Sequence, residues 1–217
     1  MSAVSCVDLC KTYRQGDQDI KALDHVSIDI EKGGFVCLSA PSGGGKTTLL
    51  NAIGGLDIPC FDALVEKAAE SEAAYPAPFA VYIHGDFNVD NVIYDPLDKR
   101  INFIDLHRSD YMDYVQDVSV FMVSNYRLHI LDRPLRQRIY RVARDFCDMA
   151  RRFARKSGDT TFEIRLALAL ARSFATSTRF ILDTSLADGM FLRARYLLDR
   201  VLETPAGRIE RFRTPVK

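Results

Sequence analysis

The spacing of apolar and polar residues divides the chain into an early strand-rich stretch and a long helical remainder. Residues Leu23 to Ile30 alternate apolar with polar side chains, the period-two pattern of a half-buried strand. Lys32-Gly33-Gly34 reads as a turn. Phe35-Val36-Cys37-Leu38 is a short continuous apolar run, as expected of a buried strand. It leads into a glycine-rich stretch, and a helix begins at about Leu49. The character changes after Leu56-Asp57-Ile58-Pro59. Phe61 to Glu72 reads as a short helix ended by Pro76 and Pro78. Three short strands are predicted next, at Phe79 to Ile83, Val92 to Tyr94 and Ile101 to Ile104. From Asp113 onward the pattern is helical. Leu135, Ile139, Val142, Phe146, Met149 and Phe153 recur at three- and four-residue steps with arginines between them, which predicts an amphipathic helix with a basic outer face. In Arg165 to Leu202, helix packing is expected to bury Leu166, Leu170, Leu192, Tyr196 and Leu197.

Composition narrows the function classes. The 217 residues hold 29 Lys+Arg and 29 Asp+Glu, a formal net charge of zero, which argues against gripping nucleic acid through an overall basic field. With 47% hydrophobic and 27% charged residues the chain has the makings of a packed core. No run approaches the roughly 18 apolar residues of a membrane helix, and the first residues do not resemble a leader, so a cytoplasmic location is expected. The five cysteines (Cys6, Cys10, Cys37, Cys60 and Cys147) show no CxxC pair or histidine cluster and are read as reduced thiols, mostly in the core.

Two motifs carry chemistry. In the first, Gly43-Gly44-Gly45-Lys46-Thr47 follows the predicted strand and opens a helix, the setting of a phosphate-binding loop. Glycines let backbone N–H groups turn inward on a phosphate, and the helix N-terminus adds partial positive charge. Lys46 would reach terminal phosphates and the Thr47 hydroxyl would ligate Mg²⁺, while Ala40 stands where the pattern has its first glycine.

The second motif is His84-Gly85-Asp86 with Asn91 five residues after the aspartate, followed by Asp105 at the end of an apolar strand. Phosphoryl transfer from ATP needs a carboxylate to orient the attacking hydroxyl and take its proton, and further oxygen ligands to hold Mg²⁺ against the phosphates. Asp86 fits the first role, and Asn91 and Asp105 fit the second.

Each motif lies within a wider resemblance. Residues 1–59, through Leu9, Lys11, Tyr13, Gly16, Ala22-Leu23, Val26-Ser27 and Pro41 to Asn51, resemble the opening of an ABC-transporter ATPase subunit, with the tail Ile53 to Pro59 similar to the lipoprotein- and macrolide-exporter subgroup. That resemblance implies ATP as ligand, with Gly43, Gly45, Lys46 and Thr47 on its phosphates and Tyr13 stacked on adenine. The later parts of such an ATPase have no counterpart: Thr184 stands where a catalytic Glu belongs, and no histidine follows His129. A transporter partner is therefore not expected.

Residues 60–217 resemble the C-terminal lobe of the aminoglycoside phosphotransferase and choline kinase family, through His84-Gly85-Asp86, Asn91, Ile104-Asp105 and Asp113 to Val118. The resemblance implies that Asp86 is the catalytic base, His84 supports the loop, Asn91 and Asp105 hold Mg²⁺, and Asp117 braces the loop from behind. Asn88 stands where the family commonly has His. The expected fold is α+β: a short β-rich segment carrying the P-loop, 1–59, then a mainly helical kinase-like lobe, 60–217. The expected activity is transfer of the γ-phosphoryl group of ATP to a small-molecule hydroxyl. The family's N-lobe lysine and its glutamate partner have no match in residues 1–59. An ATP-binding module without turnover thus stays open as the alternative.

Overall fold

The computed structural model describes residues 2–15, 18–34, 36–39, 41, 44–54 and 61–215. The chain divides into two compact units, 1–63 and 64–217.

In the first unit, β1 (Ser2–Gln15) and β2 (Gln18–Glu31) form an antiparallel ribbon, with Tyr13 opposite Ile20 and Leu9 opposite Val26. The register shifts at several points along it. The predicted alternation from Leu23 lies within β2, where Leu23 is the buried residue. Helix α1 (Lys46–Ile53) follows, anchored by buried Leu49. The expected strand at 35–38 does not form in the part described. Residues 36–39 carry no strand pairing, and Val36 and Cys37 are exposed. A continuous apolar strand is stable only between partners that cover both faces and satisfy its backbone groups, and the two-stranded ribbon supplies none.

The second unit begins within α2 (Phe61–Ala74), which runs two residues beyond the predicted end. Two small strand pairings follow. β3 (Val81–Ile83) pairs antiparallel with β6 (Asp110–Met112), and β4 (Val92–Asp95) pairs with β5 (Arg100–Phe103). Four helices complete the unit: α3 (Val115–Arg127), α4 (Arg133–Lys156), α5 (Phe162–Ser177) and α6 (Thr184–Leu202). Asp132 and Asp183 cap α4 and α6 by accepting from the third backbone N–H beyond them.

Helix α5 is the centre. Every residue from Ile164 to Ala171 is buried, and α3 and α6 pack against it. A helix apolar on nearly all sides has to sit inside a bundle. The one charged side chain in this run, Arg165, is paired with Asp159 and Asp113, while the Tyr114 hydroxyl donates to Asp159 at 2.6 Å. Burial first, and then the neighbouring Asp159, push the Tyr114 phenol far above its ordinary range.

Helix α4 departs from the expected face. Its buried residues are Cys147, Ala150 and Ala154, whereas Leu135, Val142, Met149 and Phe153 stay exposed. Small side chains let α4 approach the bundle closely, which turns the larger stripe aside. Arg151, expected on the outer face, turns inward and donates to both carboxylate oxygens of Glu163, at 2.8 and 3.2 Å. Leu166, Leu170 and Leu197 are buried as expected, but Leu192 and Tyr196 are exposed. Of the described cysteines only Cys147 is buried, so the expectation of mostly core thiols fails: Cys10 and Cys37 are open to solvent. Among the described residues, no helix is long and apolar enough to cross a membrane.

Candidate functional site

The second motif occupies the connection between β3 and β4. His84 and Asn91 are buried, and Asp86 is partly so. Gly85 has φ +82°, and a Cβ there would lie 2.2 Å from the Arg108 carbonyl oxygen. Both the left-handed backbone and the close approach demand glycine. From behind, the Asp117 carboxylate on α3 accepts from the His84 N–H at 2.7 Å and the Gly85 N–H at 2.9 Å. Burial raises its pKa above the ordinary 3.8, and the two N–H donors oppose that shift without cancelling it.

The loop is also tied to itself and to β5. The Asn91 amide donates to the Asp86 carbonyl at 2.9 Å, and the Ile104 N–H donates to the Asn91 carbonyl at 3.1 Å. The His84 ring accepts at Nδ1 from the Asp86 N–H, at 3.3 Å, and donates from Nε2 to the Ile104 carbonyl at 2.9 Å. Both ring nitrogens are thus spent on holding the backbone. Asp105 follows Ile104 directly and adopts φ +60°, ψ +50°, a left-handed conformation unusual for a non-glycine residue. The chain therefore gathers the segments of Asp86, Asn91 and Asp105 around one hydrogen-bonded frame.

Several contributors were not singled out in the sequence. Phe87 anchors the loop by stacking on Phe121 of α3, with a ring-centroid distance of 5.3 Å, and by contact with Phe146 of α4. The Ser124 hydroxyl accepts from the Val89 N–H at 3.1 Å. His107 Nδ1 lies 2.5 Å from the Asp105 carboxylate, and Arg108 approaches Asp86 at 3.6 Å. Phe87, His107 and Arg108 each stand within two or three residues of a predicted site aspartate. That adjacency was the available signal.

In the first unit, Gly45 caps α1 at φ +73°, where a Cβ would lie 2.2 Å from the Ala22 carbonyl. Lys46 and Thr47 open the helix, and the Gly44 N–H donates to the Pro41 carbonyl at 3.1 Å. Tyr13 sits on β1 with the Lys11 ammonium 5.7 Å from its ring centroid. Gly43 lies outside the described residues, as do Gly16, Ala40, Ser42 and Cys60.

Comparison with known proteins separates the same two parts. The model of the phosphotransferase enzyme family matches residues 48–149, which contain the whole His84 to Asp117 frame. Three curated relatives match about a quarter of the chain each. The lipoprotein-releasing system ATP-binding protein LolD of Chromohalobacter salexigens is 46% identical over 56 residues, 26% of this chain and 24% of that protein. The macrolide export ATP-binding/permease protein MacB of Chlorobaculum tepidum is 46% identical over 56 residues, 26% of this chain and 9% of that protein. An uncharacterized ABC transporter ATP-binding protein of Methanocaldococcus jannaschii is 48% identical over 52 residues, 24% of this chain and 22% of that protein. The chain thus spans a quarter or less of the length of these relatives. These similarities are to ABC transporter ATP-binding proteins over the first 55 or so residues and to the phosphotransferase family over residues 48–149, consistent with a chimera. No solved structure matches the chain.

Proposed function

We propose that residues 60–217 form the catalytic lobe of an ATP-dependent phosphotransferase that moves the γ-phosphoryl group to a hydroxyl of a small molecule. The observation that carries this reading is the frame itself. Asp117 holds the His84 and Gly85 N–H groups, Asn91 is bonded to the Asp86 carbonyl, and His84 reaches the carbonyl next to Asp105. Such rigidity suits a reaction whose catalysis is mostly positioning and charge stabilisation.

In this reading Asp86 accepts the proton of the attacking hydroxyl and orients its oxygen toward the γ-phosphorus. Asn88 supports it by donating from Nδ2 to Asp86 Oδ1 at 3.2 Å. His84 is a positioning residue, since both of its ring nitrogens are engaged with backbone. Asn91 and Asp105 would hold Mg²⁺: Asn91 has committed its amide nitrogen to Asp86, so the donor it retains is an oxygen, and the Asp105 carboxylate is a second hard ligand. Bound there, the ion would neutralise phosphate charge during transfer.

The first unit supports a second reading, ATP binding by the Lys46 loop without turnover. Its support is the glycine-only geometry of Gly45 at the start of α1, directly before Lys46 and Thr47, with Tyr13 as the adenine platform that the family resemblance implies. The test is transfer of radiolabelled γ-phosphate from ATP to a panel of small hydroxyl compounds. Transfer that disappears in Asp86→Asn and persists in Lys46→Ala supports the first reading. Nucleotide binding lost in Lys46→Ala, with no product in any reaction, supports the second.

A further inference from the structure

Beside Asp86 lies a cavity of about 420 Å³, framed by the catalytic loop, α3 and α5 and lined throughout by residues of the second unit. Its walls are unusual in charge. Among the described residues, Arg108, Arg127, Arg172 and Arg179 all line it, and Asp86 is the one carboxylate that does. Two of the guanidinium groups have carboxylate partners outside the lining: Arg127 pairs with Asp90 at 2.9 Å and Arg172 with Glu72 at 2.6 Å, and Arg172 also reaches Gln116 at 3.3 Å. The other two are less committed. Arg108 makes a loose 3.6 Å approach to Asp86, and Arg179 lies over the Phe180 ring at 4.6 Å. Val120 and Val123 supply an apolar side, and the Thr176 and Ser177 hydroxyl-bearing residues stand near Arg179.

A space of this size holds a small metabolite, and its dimensions fall within the distance over which salt at physiological strength leaves charges unscreened. A polycation would meet four guanidinium groups there. An anion would meet planar donors suited to phosphate or carboxylate, next to the base that must receive the hydroxyl proton.

We infer that this cavity is the acceptor pocket and that the acceptor is a small hydroxyl compound carrying a phosphate or carboxylate group. The inference rests on the phosphotransferase reading of Asp86. In the reaction the acceptor oxygen bonds to the γ-phosphorus, the bond from that phosphorus to the bridging oxygen of ADP breaks, and the hydroxyl proton passes to Asp86. Arg179 and Arg108 hold the anionic end, so that the hydroxyl end faces Asp86.

The test is calorimetric binding to the full chain without nucleotide, with glycerol 3-phosphate, glycerate, glycerol and choline as probes. Glycerol 3-phosphate and glycerate are expected to bind, more weakly as salt rises, while glycerol and choline give no heat. The tighter of the two anions identifies the charged group. Arg179→Gln, at an exposed residue between α5 and α6, is expected to weaken the anion roughly tenfold or more with an unchanged melting temperature. Arg172→Gln gives an independent second reading. The inference is overturned if choline binds and the anions do not, if neither anion binds, if Arg179→Gln binds as wild type does, or if the non-hydrolysable analogue MgAMP-PNP displaces glycerol 3-phosphate. Binding here requires no turnover, so it separates the two claims. Asp86-dependent transfer to a neutral hydroxyl without anion binding would sink the pocket and leave the phosphotransferase standing. Anion binding with no transfer to any acceptor would leave an anion site in the cavity but overturn its role as acceptor pocket together with the phosphotransferase reading.

Discussion

Replacing Asp117 with alanine removes a single side chain that organises the loop from His84 to Asn91. Its carboxylate receives two short backbone hydrogen bonds, from His84 at 2.7 Å and Gly85 at 2.9 Å. Hydrogen bonds to a charged group contribute about 1.5–3 kcal/mol each, and a buried N–H left without a partner bears its own desolvation cost. Against this, alanine no longer has to hold a carboxylate in a partly buried place, the cost that lifts the Asp117 pKa. The balance is a loss of about 2–4 kcal/mol from the second unit, or a fall of about 5–15 °C in its melting temperature at this size. Hydrogen exchange read residue by residue locates the effect. The His84 and Gly85 amides should lose protection in Asp117→Ala while amides in the middle of α5 keep theirs relative to the new global stability. If both amides remain as protected as in wild type, the brace is not what holds the loop, and the reasoning fails.

The same residue gives a pH prediction. A carboxyl whose folded pKa lies above the unfolded 3.8 holds its proton more tightly in the folded chain, so its contribution to stability is fully present below 3.8 and is lost as pH rises through the folded value. The stability of wild type relative to Asp117→Asn, from urea unfolding, should improve as pH falls from neutral toward 3.8; a gap that is constant or shrinks contradicts this. Gly85→Ala should cost several kcal/mol, from a left-handed backbone and a Cβ placed 2.2 Å from the Arg108 carbonyl, and should abolish any transfer activity measured; a normal melting curve with full activity would refute that geometry. Burial raises the Cys147 thiol to about 11, so iodoacetamide at pH 8 should label Cys10 and Cys37 in the folded chain and reach Cys147 only after denaturation, as read by peptide mass spectrometry. Arg151→Ala should lower stability by about 2–4 kcal/mol because it leaves the partly buried Glu163 carboxylate with only the Thr214 N–H, and the melting curve checks it.

What the sequence disclosed and what it hid follow from the range of the interactions involved. The helices from Asp113 onward were legible because an apolar stripe at a spacing of three to four residues is a local signal. So was the HGD-and-Asn spacing, which places its residues through one short loop. The orientation of α4 was not legible. The apolar stripe from Leu135 to Phe153 is the larger one, yet the bundle accepts the face of Cys147, Ala150 and Ala154, because close packing against α3 rewards small side chains that a hydropathy pattern undervalues. The strand expected at 35–38 is missing from the described residues 36–38 for a related reason. An apolar run states a preference for burial, but among the described residues of the first unit the two-stranded ribbon supplies no partner strand to bury it. The loop frame shows the same limit in finer detail. Asp117 was picked out by resemblance, while Phe87, which ties the loop to α3 and α4 through its ring, depends on residues 34 and 59 positions away in the chain. The arginine lining of the cavity is likewise drawn from four separate segments, and no stretch of sequence displays it.

The proposed phosphotransferase requires nucleotide to be held by the second unit, at Asn91 and Asp105, independently of the Lys46 loop. Calorimetric titration of MgATP into wild type, Asp105→Asn and Lys46→Ala tests it most directly. The account predicts that Asp105→Asn weakens MgATP at least about tenfold, as expected when a charged metal ligand is lost, while Lys46→Ala binds as wild type does. Binding abolished by Lys46→Ala and untouched by Asp105→Asn would contradict the account and assign the nucleotide to the first unit.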